Sequence, residues 1–135
     1  MTTPESILLV EAVLMLPLFL LGLSHLIQPR LWLDVFKDLA EKGHIGVVWR
    51  TFLFELWPAV LIVMFHQDWS WPGLLITLYG HLLMLKVTLS LLVPGLGLKS
   101  LQQAEPTGQW AFIPAGLLLI ALSVICALQV IPAFL

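Results

Sequence analysis

The sequence predicts an all-α fold: an integral membrane four-helix bundle with an interfacial amphipathic helix between spans one and two. Two observations carry that expectation. Hydrophobic residues make up 60% of the chain and charged residues only 10%, whereas soluble proteins carry about 25% charged residues. The apolar residues also gather into four runs close to the roughly 20 residues a helix needs to cross a hydrocarbon core about 30 Å thick. In 135 residues such spans leave room for little else. A single transmembrane domain over 1–135 is expected, with no separate soluble catalytic domain.

The first span covers 7–27. Met1 to Glu5 contains no basic residue and the apolar run that follows is longer than a signal-peptide core, so this span is expected to be retained. Pro29 stops it. From 30 to 42 the pattern changes: Leu31, Val35, Phe36 and Leu39 fall on one helical side, and Asp34, Lys37, Asp38 and Glu41 fall largely on the other. That is the pattern of a helix lying in the interface, ended by Gly43. The second span, 47–65, is followed by a short polar and aromatic link, His66 to Pro72, so spans two and three must be antiparallel neighbours. The third, 73–93, stops at Pro94-Gly95. Gly95 to Gln109 reads as a short loop, and the fourth span covers 110–132.

Lys and Arg set the orientation. Arg30, Lys37, Lys42 and Arg50 lie in or beside the first connection, Lys99 lies in the third, and the second has none. Both termini are therefore expected on the non-cytoplasmic side. Trp32, Trp49, Trp69, Trp71 and Trp110 sit near span ends and read as interfacial anchors, while Trp57 alone lies deep. An internal repeat is also visible: Leu23 to Leu33 resembles Leu89 to Leu98 after a one-residue gap, which points to a duplicated two-helix unit.

Ionisable residues inside spans cost on the order of 2.5–3.5 kcal/mol each by insertion scales, so each is a candidate site residue. At about 1.5 Å rise per residue, Glu11 lies roughly 7 Å from the outer end, His81 about 12 Å, Glu55 about 16 Å and Lys86 about 19 Å. These depths pair Glu11 with His81 and Glu55 with Lys86, provided the helices turn those faces inward. Pro17 and Pro58 each free a carbonyl one turn earlier, close to an acidic residue, and Lys86 or a water is the expected donor. Trp57, between Glu55 and Pro58, is a candidate cavity wall. The alternative role for Glu55 and Lys86 is interhelical pairing that only sets register.

Several classes drop out. The net charge is −2 and there is no dense basic run, so no nucleic-acid partner is expected. The single cysteine, Cys126, cannot form an internal disulfide. A bis-histidine haem would need a second histidine at the depth of His81, whereas His66 is expected at the outer surface and His25 at the opposite side. A metal held by Glu11, Glu55 and His81 would have to close a depth difference of nearly 10 Å, again at about 1.5 Å per residue. No cofactor or metal is expected.

The segment Gly22-Leu-Ser-His-Leu-Ile-Gln-Pro29, followed by Leu31-Trp-Leu33, resembles the first-span signature of the DoxX-like small bacterial membrane proteins. That resemblance implies a four-helix fold and a bacterial inner-membrane location, in a family where some members accompany quinone-linked oxidoreductases; it assigns no catalytic residue. Glu11 also resembles the acidic residue of small multidrug-resistance transporters, although the long amphipathic connection departs from their layout. Arg50, Glu55 and Pro58 resemble the second-span pattern of eicosanoid and glutathione membrane enzymes, but Phe52 stands where that pattern has Asn.

The expected function is a non-enzymatic one: binding of a lipid-like or hydrophobic ligand, or service as an accessory membrane subunit, around Glu11, Glu55, Trp57, His81 and Lys86. Proton-coupled transport by an oligomer and partnership with a quinone-linked oxidoreductase are the alternatives. Membrane lipids, a second copy of the chain or a larger membrane complex are the expected partners.

Overall fold

The computed structural model describes residues 2–135, which are α-helical with no strand among them. Four helices are long and apolar enough to cross a bilayer: Pro4–Ile27, His44–Phe65, Leu74–Leu92 and Gln109–Phe134. We label the elements α1 (Pro4–Ile27), α2 (Pro29–Glu41), α3 (His44–Phe65), α4 (Leu74–Leu92), α5 (Pro94–Gln102), α6 (Ala104–Thr107) and α7 (Phe112–Phe134).

Local chemistry sets the breaks. α1 opens with a capping box in which Thr3 Oγ1 accepts from the Ser6 N–H at 3.1 Å while Ser6 Oγ accepts from the Thr3 N–H at 2.9 Å. Gln28 then leaves helical geometry (φ −124°, ψ 53°) before Pro29 opens α2. The same device recurs at Val93 (φ −129°, ψ 76°) before Pro94 opens α5. In both places the proline ring disfavours α geometry at the residue before it yet suits the first turn of the next helix. The stretch expected to be a loop, Gly95 to Gln109, is instead largely helical, because Pro94 restarts the helix.

α2 matches the expected interfacial helix in extent, but its inward face is rotated. Leu31 is exposed, while Trp32 and Phe36 turn toward the bundle and Asp34, Asp38 and Glu41 stay outside. Trp32 is therefore no surface anchor: its ring stacks on His25 at 4.3 Å and its indole N–H donates to Ser24 Oγ at 2.8 Å.

Two helix pairs build the bundle, α1 with α7 and α3 with α4. In the first pair, Gly22 and Gly116 let the backbones touch: a Cβ on either would lie 2.7 Å from the other's carbonyl oxygen. In the second, a Cβ on Gly80 would lie 2.1 Å from Ile62 Cγ2. Val10, Leu14, Leu18, Ile62, Ile76, Leu122 and Cys126 tie both pairs into one core at the end holding the His66 to Pro72 link. Toward the other end, where α2 contributes Trp32 and Phe36, a cavity lies between the pairs.

α3 is not a uniform α-helix. Thr51–Leu56 forms a π turn, in which i→i+5 hydrogen bonds replace the usual pattern. Pro58 lies just beyond it, and the Leu53 carbonyl accepts from the Trp57 indole N–H at 3.1 Å. The carbonyl expected to be freed by Pro58 was that of Phe54, with Lys86 or a water as donor; the carbonyl that gains a side-chain donor here is Leu53's, from Trp57.

Candidate functional site

The cavity between the helix pairs has a volume of about 260 Å³. Leu14, Pro17, Leu18 and Leu21 of α1, Leu83 of α4, and Leu118 and Leu119 of α7 give it apolar walls, with Trp57 and Pro58 on the α3 side. Its polar lining is His25 and Arg50 toward α2, with Glu55, Tyr79 and Lys86 deeper in the bundle. Four lining residues are also exposed on the outside of the bundle, Trp57 at 36%, Leu118 at 53%, the Lys86 side chain at 48%, and Ala115. The cavity therefore opens sideways at a depth within the spanning helices.

The charged group is assembled by the π turn. Residues five apart sit well around the cylinder from each other in an α-helix, but i→i+5 winding brings them together, and Arg50 Nε lies 2.9 Å from Glu55 Oε1. The other Glu55 oxygen is 3.0 Å from Lys86 Nζ. Arg50 is 2% exposed and Glu55 6%. The contacts are close in distance but poorly directed: Arg50 Nε and Nη2, Thr51 Oγ1 and both Glu55 oxygens are buried without a hydrogen bond of good geometry. Arg50 Nη1 makes a long contact to Ser100 Oγ, at 3.4 Å. Burying such groups incompletely satisfied is expensive, so the cluster has hydrogen-bonding capacity left for another molecule.

A second polar cluster lies at the opposite end, apart from the cavity. Glu11 was expected to meet His81. Instead Glu11 Oε1 lies 2.8 Å from His66 Nε2, in hydrogen-bonding contact, and accepts from the Gln129 side chain at 2.5 Å. His81 donates its Nδ1–H to the Thr77 carbonyl of its own helix at 2.8 Å and faces the Trp69 ring. His66, expected at the outer surface, is fully buried. α3 ends at Phe65 and His66 (φ −124°, ψ 85°) turns the chain inward.

Proton accounting defines this cluster. Thr77 Oγ1 has one hydrogen and two carbonyl acceptors, Asp68 at 2.8 Å and His66 at 3.3 Å; given to either, it makes Oγ1 the acceptor toward His66 Nδ1 at 3.0 Å. His66 therefore carries its proton on Nδ1, and the short contact to Glu11 holds one further proton, on Nε2 or on the carboxyl. The Glu11 and His66 side chains together are neutral either way. Asp68, in the adjoining link, is partly buried, which raises its pKa, but the Ser70 hydroxyl and N–H, with the nearby His66 ring, outweigh this and leave it below the usual carboxylate value.

Of the residues singled out from sequence, Glu55, Trp57 and Lys86 line the cavity, whereas Glu11 and His81 do not. Among the described residues, no three His, Cys, Asp or Glu side chains converge on a point suited to a metal. Arg50, Tyr79, His25 and Trp32 join the cavity group, and His66, Thr77 and Gln129 join Glu11. In the sequence Arg50 stands out for charge topology and for its second-span pattern with Glu55 and Pro58, not as a cavity group, and Gln129 carries no charge to draw notice.

No protein-family model, curated protein or solved structure matches this chain.

Proposed function

We propose that the protein is a multi-pass membrane protein that binds a hydrophobic molecule with a polar head in the cavity between its helix pairs. The observation that carries this is the pairing of apolar walls with the buried, incompletely hydrogen-bonded Arg50 and Glu55 side chains. Small-molecule sites have this composition: mostly apolar lining and a few polar groups that fix orientation. The bundle's outer surface supports a bilayer setting, since Leu9, Leu16, Leu82, Leu85 and Leu128 all stand exposed, more apolar surface than water-facing proteins tolerate. The sideways opening would then let the tail enter from lipid.

The charge bias of the connections favours a cytoplasmic position for α2 and α5, in keeping with the bacterial inner-membrane location that the DoxX-like resemblance of Gly22 to Pro29 implies. We rank proton-coupled transport second, because Glu11 does not line the cavity. Partnership with an oxidoreductase rests on the resemblance alone.

The test is native mass spectrometry of protein released from membranes in mild detergent, comparing the wild type with Ala115→Trp, which fills the cavity from α7. A hydrophobic adduct on the wild type that disappears from the folded variant supports binding in this cavity. An adduct retained by Ala115→Trp, or none on either protein, counts against it.

A further inference from the structure

We infer that the cavity selects an anionic amphiphile, whose carboxylate or phosphate head docks at Arg50 and Lys86. The inference rests on the binding reading above and specifies its ligand class. The argument is one of charge. Glu55 is a single carboxylate shared by two cations, Arg50 on Oε1 and Lys86 on Oε2. No other carboxylate among the described residues forms an ion pair with either cation; the one remaining pair joins Glu11 to His66. The group thus carries one uncompensated positive charge, and a protonated His25 would only add to it. In a low-dielectric setting such a charge has a strong demand for a counter-ion.

The free hydrogen-bonding capacity has the same sign. Arg50 Nη2 is a buried donor with no partner, and Tyr79 and Lys86, which each carry a donor, also line the cavity. Against these donors Glu55 supplies the only anionic acceptor, already shared between two cations. A guanidinium with an open N–H beside an ammonium suits a carboxylate or phosphate, the acceptor-only groups that form the stronger charge-assisted bonds. A cavity of about 260 Å³ lies at the small end of ligand sites. It takes a headgroup and the first part of a tail, leaving the remainder to pass between the exposed Leu118 and Lys86 into lipid.

The experiment uses the full chain in nanodiscs of phosphatidylcholine and the fluorescent fatty acid cis-parinaric acid, read by energy transfer from tryptophan. Its methyl ester, with the same tail and no charge, is the control. The acid is expected to bind about tenfold or more tightly than the ester, since hydrogen bonds to charged groups carry that much. Lys86→Met should weaken the acid and leave the ester unchanged. Glu55→Gln should strengthen the acid, because it leaves two cations unpaired; a purely structural cluster would weaken both probes. Displacement by oleate but not phosphatidylglycerol identifies a free acid as the source, and the reverse identifies a membrane lipid. Equal binding of acid and ester, or equal displacement by added phosphatidylcholine, overturns the anionic preference while leaving the cavity reading intact. Failure of both probes to bind removes the cavity reading as well.

Discussion

Replacing His66 by Phe keeps most of the side-chain volume while removing both ring nitrogens, and the structure indicates what that should cost. Glu11 Oε2 has no partner in the wild type, so Oε1 carries all the compensation, from His66 and Gln129. Both Glu11 and His66 are fully buried. Removing the histidine leaves the carboxyl with one neutral donor and Thr77 Oγ1 with no ring N–H. Breaking one side of a buried pair typically costs about 3–5 kcal/mol, and that loss is expected for His66→Phe. Glu11→Gln should behave quite differently. The pair holds a single shared proton, so an amide can donate to His66 Nε2 and still accept from Gln129, at a cost of about 1 kcal/mol. Joining Glu11→Leu to His66→Phe should recover part of the loss, because the buried carboxyl is gone and only the neutral Gln129 amide and Thr77 hydroxyl lose a partner. The assay is reversible SDS unfolding in mixed micelles, followed by far-UV circular dichroism. If Glu11→Gln were as damaging as His66→Phe, the carboxylate charge itself would be required and the shared-proton account would fail.

Other consequences follow from local geometry. Gly22→Ala or Gly116→Ala should each destabilise by about 1–3 kcal/mol in the same assay, since the added methyl presses on the facing carbonyl where α1 and α7 are closest. Gly46→Val should unseat α2, because even a Cβ at that position would lie 1.7 Å from the Leu39 carbonyl oxygen; limited trypsin digestion should then cut at Lys37 and Lys42, which resist in the wild type. Asp68 is held below its usual pKa by Ser70, so its contribution is complete above the unfolded carboxylate range and is lost as pH falls through the depressed folded value. Thermal unfolding followed from neutral to acidic pH should show a larger acid loss for the wild type than for Asp68→Asn, with a small difference because partial burial of Asp68 opposes the Ser70 hydrogen bonds.

How far sequence reasoning reached depends on which physical quantity each feature needs. Helix positions follow from hydropathy and proline placement, which are local, and α1 to α4 lie within a few residues of expectation. Depth was equally accessible, which is why Glu55 and Lys86 could be paired: they lie at similar height on adjacent helices. Rotation and winding were not accessible. Nothing in Thr51-Phe-Leu-Phe-Glu-Leu56 announces a π turn, and without one Arg50 and Glu55 point apart on α3. The expected Glu11 to His81 pair failed for a related reason. Depth was counted along straight helices, yet His66 follows the end of α3 and folds back beneath it, taking the place assigned to His81. His81 meanwhile satisfies itself on the Thr77 carbonyl one turn earlier, a local alternative that depth counting ignores.

The two breaks at Gln28-Pro29 and Val93-Pro94 bear on how the charged group came to lie on one side of the bundle. Each follows a spanning helix with one non-helical residue and a proline-led short helix, and each leads on to a further span, so the same scaffold occurs twice along the chain. The halves exchange partners: α1 of the first packs on α7 of the second, and α3 of the first on α4 of the second. Their chemistry is unequal. α7 has no ionisable residue other than Cys126, while α3 carries Arg50 and Glu55 and faces Lys86 on α4. A repeated scaffold can tolerate this, because the α1–α7 pair closes tightly through Gly22 and Gly116 whichever charges the other pair bears. The close glycine contact and the charged π turn thus divide the work: one holds the bundle together, and the other leaves the opposite helix pair free to diverge and hold a cavity.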